Sequence, residues 1–182
     1  GGGADPGPDA AYPLITIAEP GKEATTLETQ ASYTRSLGLE THHGYLGDAA
    51  KTAKLAKELT SAGGCCCVIL NTVKQAQAVY RLLGDDVPKL LFHARFTAQD
   101  REQIATKVGE LFGPNIDNRP ERFILVATQV VEQSLDVDFD HMITEIAPMD
   151  LLLQRSGRLH RHRVRGHRPV LHVLTPTPGV SK

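Results

Sequence analysis

From residue 65 onward, short apolar runs alternate with stretches whose apolar positions recur at helical spacing. Residues 65–70 are wholly apolar, as a strand requires when both its faces are buried. Val73, Ala76, Tyr80 and Leu83 then share one side of a helix, which Gly84 stops. Residues 89–92 read as a second strand. Thr97 opens the next helix, with Asp100 three residues on and an apolar face of Ile104, Val108, Leu111 and Phe112; Gly113-Pro114 ends it. Residues 123–127 predict a third strand, followed by a short helix, and residues 141–146 a fourth. Asp150 is placed to cap a helix running through Leu159. Residues 169–174 predict a last strand, and Pro176 and Pro178 lead out.

The first third is less regular. Residues 12–18 and 36–45 each read as a strand, and the polar, turn-rich stretch between them predicts a hairpin leading into the domain. Residues 48–60 predict a helix ending at Gly63-Gly64. The expected organisation is a linker at 1–11, a lead-in at 12–64, an α/β domain at 65–175 and an exit linker at 176–182. Alternating strands and helices build a mostly parallel sheet with helices on both faces, a three-layer α/β fold. Ligands of such sheets gather at the carboxyl ends of the strands, so the polar segments just after each strand are the ones to read.

Composition changes this picture in a few places. A length of 182 residues fits one α/β domain, and 41% hydrophobic content supplies one core. The net charge of -1 gives no whole-chain attraction to nucleic acid, yet residues 155–168 are rich in base and contain no acid. The three cysteines are consecutive, Cys65-Cys66-Cys67, with no further cysteine to pair with, so core packing in a reducing cytoplasm is expected. No apolar run approaches the roughly 18 residues of a membrane span. The Gly/Pro-rich start and the missing initiator Met suggest a linker and a fragment of a larger protein, with no signal peptide. His160, His162 and His167 lack a carboxylate or Cys at ligand spacing, and His42-His43 reads as surface, so no metal site is expected.

The segment Gln154-Arg155-Ser156-Gly157-Arg158-Leu159-His160-Arg161 carries the strongest chemistry. Arg155, Arg158 and Arg161 are spaced i, i+3, i+6, which on a helix lines them along one side. Either they form a solvated basic face or they gather around an anion. The preceding Met149 to Leu153, nearly all apolar, anchors the helix start and favours a rigid presentation of guanidiniums to phosphate, while Gly157 lets a ligand approach closely. Thr128, after the third strand, is suited to cap a helix or to meet a phosphate, and Asp136 follows eight residues later. Asn71-Thr72, after the first buried strand, admits the same two readings, a helix cap or a phosphate contact. Arg95, with His93 and Ala94, can hold either a nucleic-acid phosphate or an acid of its own fold; His93 reads as structural.

Gln-Arg-x-Gly-Arg-x-x-Arg resembles motif VI of superfamily 2 helicases, and Thr128 with Asp136 resembles motif V, with Ser134 in place of the usual glycine. The stretches 127–136, 92–97 and 151–162 together resemble the helicase-nuclease of type I CRISPR systems, over about residues 65–173. The resemblance implies the second RecA-like lobe of a single-stranded DNA translocase. In it Arg158 and Arg161 would be arginine fingers toward the γ-phosphate of ATP, and Gln154 would position the attacking water or that phosphate. Arg155 would tie the motif to the acidic box of the partner lobe. Asp136 would contact the ATP ribose or motif VI, and Thr128, Thr72, Asn71 and Arg95 would contact the DNA backbone. It also implies a first RecA-like lobe, a nuclease domain and a CRISPR surveillance complex as partners.

No Gly-x-x-x-x-Gly-Lys-Ser/Thr loop occurs in the sequence, nor an acidic box after an apolar strand. ATP and Mg2+ are therefore expected to be bound mainly by the other lobe, and this chain alone is expected to be inactive as an ATPase. Two alternatives stand beside this reading: an RNA helicase lobe, and a non-catalytic module binding nucleic acid or protein.

Overall fold

The computed structural model describes residues 36–115, 117–132, 135–162, 165–166 and 168–179, and the backbone of residues 14–17 and 25–28. The linker expected at 1–11, residues 180–182, Gln133, Ser134 and His167 lie outside the described residues. The chain divides into two units, Gly1–Ser36 and Leu37–Lys182. In the first, β1 (Leu14–Ile17) pairs antiparallel with β2 (Thr25–Glu28).

The second unit contains β3 (Gly38–His43), α1 (Ala49–Leu59), β4 (Gly64–Ile69), α2 (Val73–Leu82), β5 (Lys89–Phe92) and α3 (Ala98–Phe112). It continues through β6 (Arg122–Ala127), a 3-10 turn (Gln129–Glu132), β7 (His141–Glu145), α4 (Met149–Ser156) and β8 (Val170–Thr175). Six strands form one parallel sheet in the order β3-β8-β7-β4-β6-β5. This is the expected α/β architecture.

Among the described residues the pairings differ from the hairpin expected between residues 12–18 and 36–45. β1 takes β2 as its partner, and residues 36–45 supply β3, which runs parallel to β8 at the sheet edge. The parallel sheet thus begins at Gly38, ahead of Cys65. The sequence hid this because β3 (GLETHH) is an edge strand with most of its side chains exposed, and so lacks the apolar run of a central strand.

Side-chain alternation divides β4 between two layers. Cys65, Cys67 and Ile69 pack with Val108, Phe112, Leu152 and Leu159 on the face covered by α3 and α4. Cys66, Val68 and Leu70 pack with Ala53, Ala56, Ala76 and Val79 on the face covered by α1 and α2. All three cysteines are buried. Burial pushes the Cys66 thiol well above its usual range and the Cys67 thiol to about 12, so both remain protonated and unreactive at neutral pH.

The helix starts follow the expected chemistry in two cases. Thr97 Oγ1 accepts the Asp100 N–H at 3.1 Å, and its own hydroxyl donates to Asp100 Oδ2 at 2.7 Å. Thr72 Oγ1 accepts the Gln75 N–H at 3.2 Å at the start of α2. Gly63 and Gly64, with φ of 102° and 93°, make the turn from α1 into β4 in a conformation that a side chain resists. The expectation for α4 needs correction. The helix starts at Met149 behind Pro148, without a side-chain cap; Asp150 lies in its first turn, and the helix ends at Ser156. Pro148 cannot continue a helix backward and fixes the start one residue before Asp150.

Candidate functional site

Two crossovers, residues 128–140 between β6 and β7 and residues 146–169 between β7 and β8, lie side by side. Phe139 bridges Leu159: the Phe139 N–H donates to Arg158 O at 2.9 Å and the His160 N–H to Phe139 O at 3.0 Å. These bonds hold His160 at a φ of 48°, rare for a residue with a side chain. Because α4 ends at Ser156, Arg155 alone of the three arginines is helical. Arg158 and Arg161 sit in the loop that follows, so the three do not line one side of a helix.

Their environments differ completely. Arg155 is fully buried. Its Nε donates to Glu132 Oε1 at 2.6 Å, and its Nη1 to Thr144 Oγ1 at 2.5 Å and to Glu145 O at 3.3 Å. Arg155 therefore ties α4 to the 3-10 turn and β7 within its own unit. The tie found is thus internal to the unit, where the resemblance implies one to an acidic box of another lobe. Glu132, which sequence reading passed over, is its partner.

Arg158 is half-buried. Nη1 donates to Gln154 O at 2.8 Å and Nη2 to Glu132 O at 2.7 Å, while Nε is enclosed without a hydrogen-bond partner. Burial and the neighbouring Arg161 lower its pKa, with Cys67 and Glu132 opposing. Arg161 is exposed, and its Nε lies 2.7 Å from Asp136 Oδ1, with both side chains about half open to solvent (47% and 54%). Gln154 is exposed beside them. Gly157 is exposed with φ of -61°, open to any residue; a Cβ there would lie 3.3 Å from Gln154 O.

The basic run is largely neutralised from within. Asp138, fully buried, accepts from Arg165 Nη2 at 2.8 Å and from the Arg161 N–H at 2.7 Å. Asp140 accepts from Arg119 Nη2 at 2.8 Å and from the Cys65 N–H at 2.7 Å, and also pairs with Arg165 Nε. Burial alone would raise the Asp140 pKa, but the Cys65 N–H, Arg119 and Arg165 together bring it down to about 2. The signal for this network was the alternation of acids at 136, 138 and 140 followed by an acid-free basic run. Complementary runs so close in the chain point to pairing with each other as readily as to an outside anion.

Beyond the carboxyl ends of β4 and the edge strand β5, Asn71, Thr72 and Arg95 are exposed. The Asn71 N–H donates to Glu145 Oε2 at 2.6 Å and its Nδ2 to Ile146 O at 3.2 Å, fastening the end of β4 to that of β7. The Arg95 N–H meets His93 Nδ1 at 3.3 Å, and no hydrogen bond or ion pair holds its guanidinium among the described residues. His93 is buried and stacks on Phe96 with ring centroids 4.2 Å apart, a structural role. Thr128 is 3% exposed, with its N–H donated to Phe92 O and its carbonyl accepting from the Val131 N–H. These backbone bonds place Thr128 at the start of the 3-10 turn, one of its two expected readings. Apart from these groups, three metal-capable side chains converge at the other edge of the sheet: Glu40, His42 and His172.

The model of the C-terminal region of the CRISPR-associated nuclease/helicase Cas3 matches residues 62–164. The CRISPR-associated endonuclease/helicase Cas3 of Escherichia coli (strain K12) is 52% identical over 113 residues, 60% of this chain and 12% of the relative. Among solved structures, T. fusca Cas3-ATP superposes with a TM-score of 0.79 at 34% identity, over 93% of this chain and 22% of that one. A chain of a CRISPR RNA-guided surveillance complex, pre-nicking, superposes with a TM-score of 0.70 at 35% identity, over 88% of this chain and 22% of that one. The C-terminal domain of the DEAD-box protein Dbp5 shares the fold, with a TM-score of 0.54 at 16% identity, over 79% of this chain and 77% of that one. The sheet is thus the RecA-like one of these second domains, and the chain spans a small part of the Cas3 relatives it matches.

Proposed function

Because the chain belongs to the family of the Cas3 C-terminal region, we propose that it is the second motor lobe of an ATP-dependent single-stranded DNA translocase acting in type I CRISPR interference. The observation that carries this reading is the exposed Arg161–Asp136 pair beside the exposed Gln154. In this reading the first RecA-like lobe binds ATP and Mg2+, because this sequence has no phosphate loop. ATP, when bound between the lobes, supplies the phosphoryl group whose hydrolysis drives movement.

The residues of this chain fit such a phosphate in a definite way. Arg161 can exchange an exposed carboxylate for a phosphoryl oxygen at little cost, because an exposed pair contributes only about 0–1 kcal/mol. Arg158, half-buried and held by the carbonyls of Gln154 and Glu132, reaches the phosphate by giving up one of those two bonds. Gln154 positions the attacked group, and Gly157 leaves room for it. Asp136 releases Arg161 and turns toward the ribose. Such fingers act electrostatically on the transferred phosphoryl.

Thr72, Asn71 and Arg95 hold the strand through its backbone, so binding weakens as salt rises. The Glu-Gln-Ser-Leu-Asp of residues 132–136 and the Gln opening residues 154–161 favour DNA over RNA. Partners in this reading are the first lobe and nuclease domain of the same protein and a CRISPR surveillance complex, such as the one holding the superposed chain, in the cytoplasm. ATPase turnover of the two-lobe protein, compared with single-stranded DNA and with RNA of equal length, tests it. Stimulation by DNA well above that by RNA is expected. Stronger stimulation by RNA would favour the RNA helicase reading, and no hydrolysis with either would favour the non-catalytic module.

A further inference from the structure

We propose that Glu40, His42 and His172 form a site for a zinc-type divalent cation that clips the edge strand β3 to β8. The strand register builds it. Glu40 lies directly opposite His172 in the parallel pairing, and His42, two residues along β3, shares the face of Glu40. His42 Nε2 stands 3.0 Å from His172 Nδ1. One Glu40 oxygen lies 3.6 Å from His42 Nε2 and the other 3.6 Å from His172 Nδ1. A tetrahedral ion with bonds of about 2.0–2.1 Å sets its ligand atoms about 3.3 Å apart. The three observed separations straddle that spacing, so small side-chain movements close the site.

The donor set selects the ion. Two imidazole nitrogens and one carboxylate suit zinc and its neighbours in the first transition row. Calcium and magnesium take oxygen ligands and are disfavoured here. His172 is buried and His42 nearly so, while Glu40 is exposed, with side-chain exposures of 8%, 13% and 58%. Two ligands are thus fixed by the fold, the third closes from the solvent side, and water can take the fourth position. His43 is excluded, because its Nδ1 pairs with Thr175 Oγ1 at 2.9 Å.

Sequence reading took His42-His43 as surface, and the third ligand lies 130 residues further on. The clip would join the first strand of the sheet to the last, so it should stabilise the edge without touching the arginine loop. It stands independently of the translocase reading. Cobalt(II) titration of the full chain, followed by zinc displacement, tests it against Glu40→Gln and His42→Gln. The intense visible bands of one equivalent of tetrahedral cobalt are expected in the parent protein and are expected to be lost in each variant, which lacks one of the three ligands. Zinc should raise the melting temperature of the parent and not of Glu40→Gln, an exposed substitution that leaves the fold intact. Equal cobalt stoichiometry and spectrum in the parent and both variants would overturn the site. So would a zinc-induced melting shift of the same size in Glu40→Gln.

Discussion

Two arginine–carboxylate pairs connect the same two crossovers, Arg155 with Glu132 and Arg161 with Asp136, at nearly equal distances of 2.6 Å and 2.7 Å. Chemically they match; physically they are opposites. The first has a fully enclosed guanidinium with further bonds to Thr144 and to a backbone carbonyl. The second has both partners half in water. A sealed pair is a structural bolt, because breaking it strands a charge away from solvent. An open pair holds little free energy and can change partner. In a repeated Arg-x-x-Arg-x-x-Arg, burial therefore decides which arginine stabilises the domain and which can meet a ligand.

The largest effect should come from Arg155→Ala. Removing one side of the sealed pair leaves Glu132 uncompensated and should cost about 3–5 kcal/mol in urea unfolding. Replacing both partners, Arg155→Met with Glu132→Leu, should recover much of that loss. A single-variant cost below about 1 kcal/mol would erase the distinction between the pairs.

Next in size is the acid limb of stability. Asp140 is held at about 2, below its ordinary 3.8. A depressed carboxylate contributes stability above its unfolded pKa and loses it as pH falls through the folded one. The loss should fall between about pH 4 and pH 2 and reach at most about 2 kcal/mol, less where water screens the pair. Asp140→Asn should flatten that part of the pH–stability curve, and an unchanged curve would show that Arg119 and Arg165 do not hold this carboxylate charged. The smallest stability effect belongs to Arg161→Ala, about 0–1 kcal/mol and reduced further by salt.

The central strands were legible because both their faces are buried: the apolar runs at 65–70 and 123–127 contain β4 and β6 almost to the residue. Edge strand β3 was misassigned because exposure deprives it of that run. The candidate site was legible as a set of residues, and only in part as an arrangement. Arg161 pairs with Asp136 and Arg158 bonds the Gln154 carbonyl, but helical periodicity was extended past Gly157, where the backbone turns instead. Nothing local distinguishes Arg155 from Arg161, since their difference lies in Glu132, Thr144 and Glu145, which reach Arg155 through the tertiary fold. The Glu40, His42 and His172 cluster exists only through the pairing of the first and last strands of the sheet.

The most direct test is the ATP hydrolysis rate of Arg161→Ala in the two-lobe protein, measured with single-stranded DNA present and beside its unfolding curve. The account predicts a fall on the order of 10³-fold or more, with unfolding and DNA binding close to those of the parent. Hydrolysis near the parent rate in a folded, DNA-binding variant would contradict it.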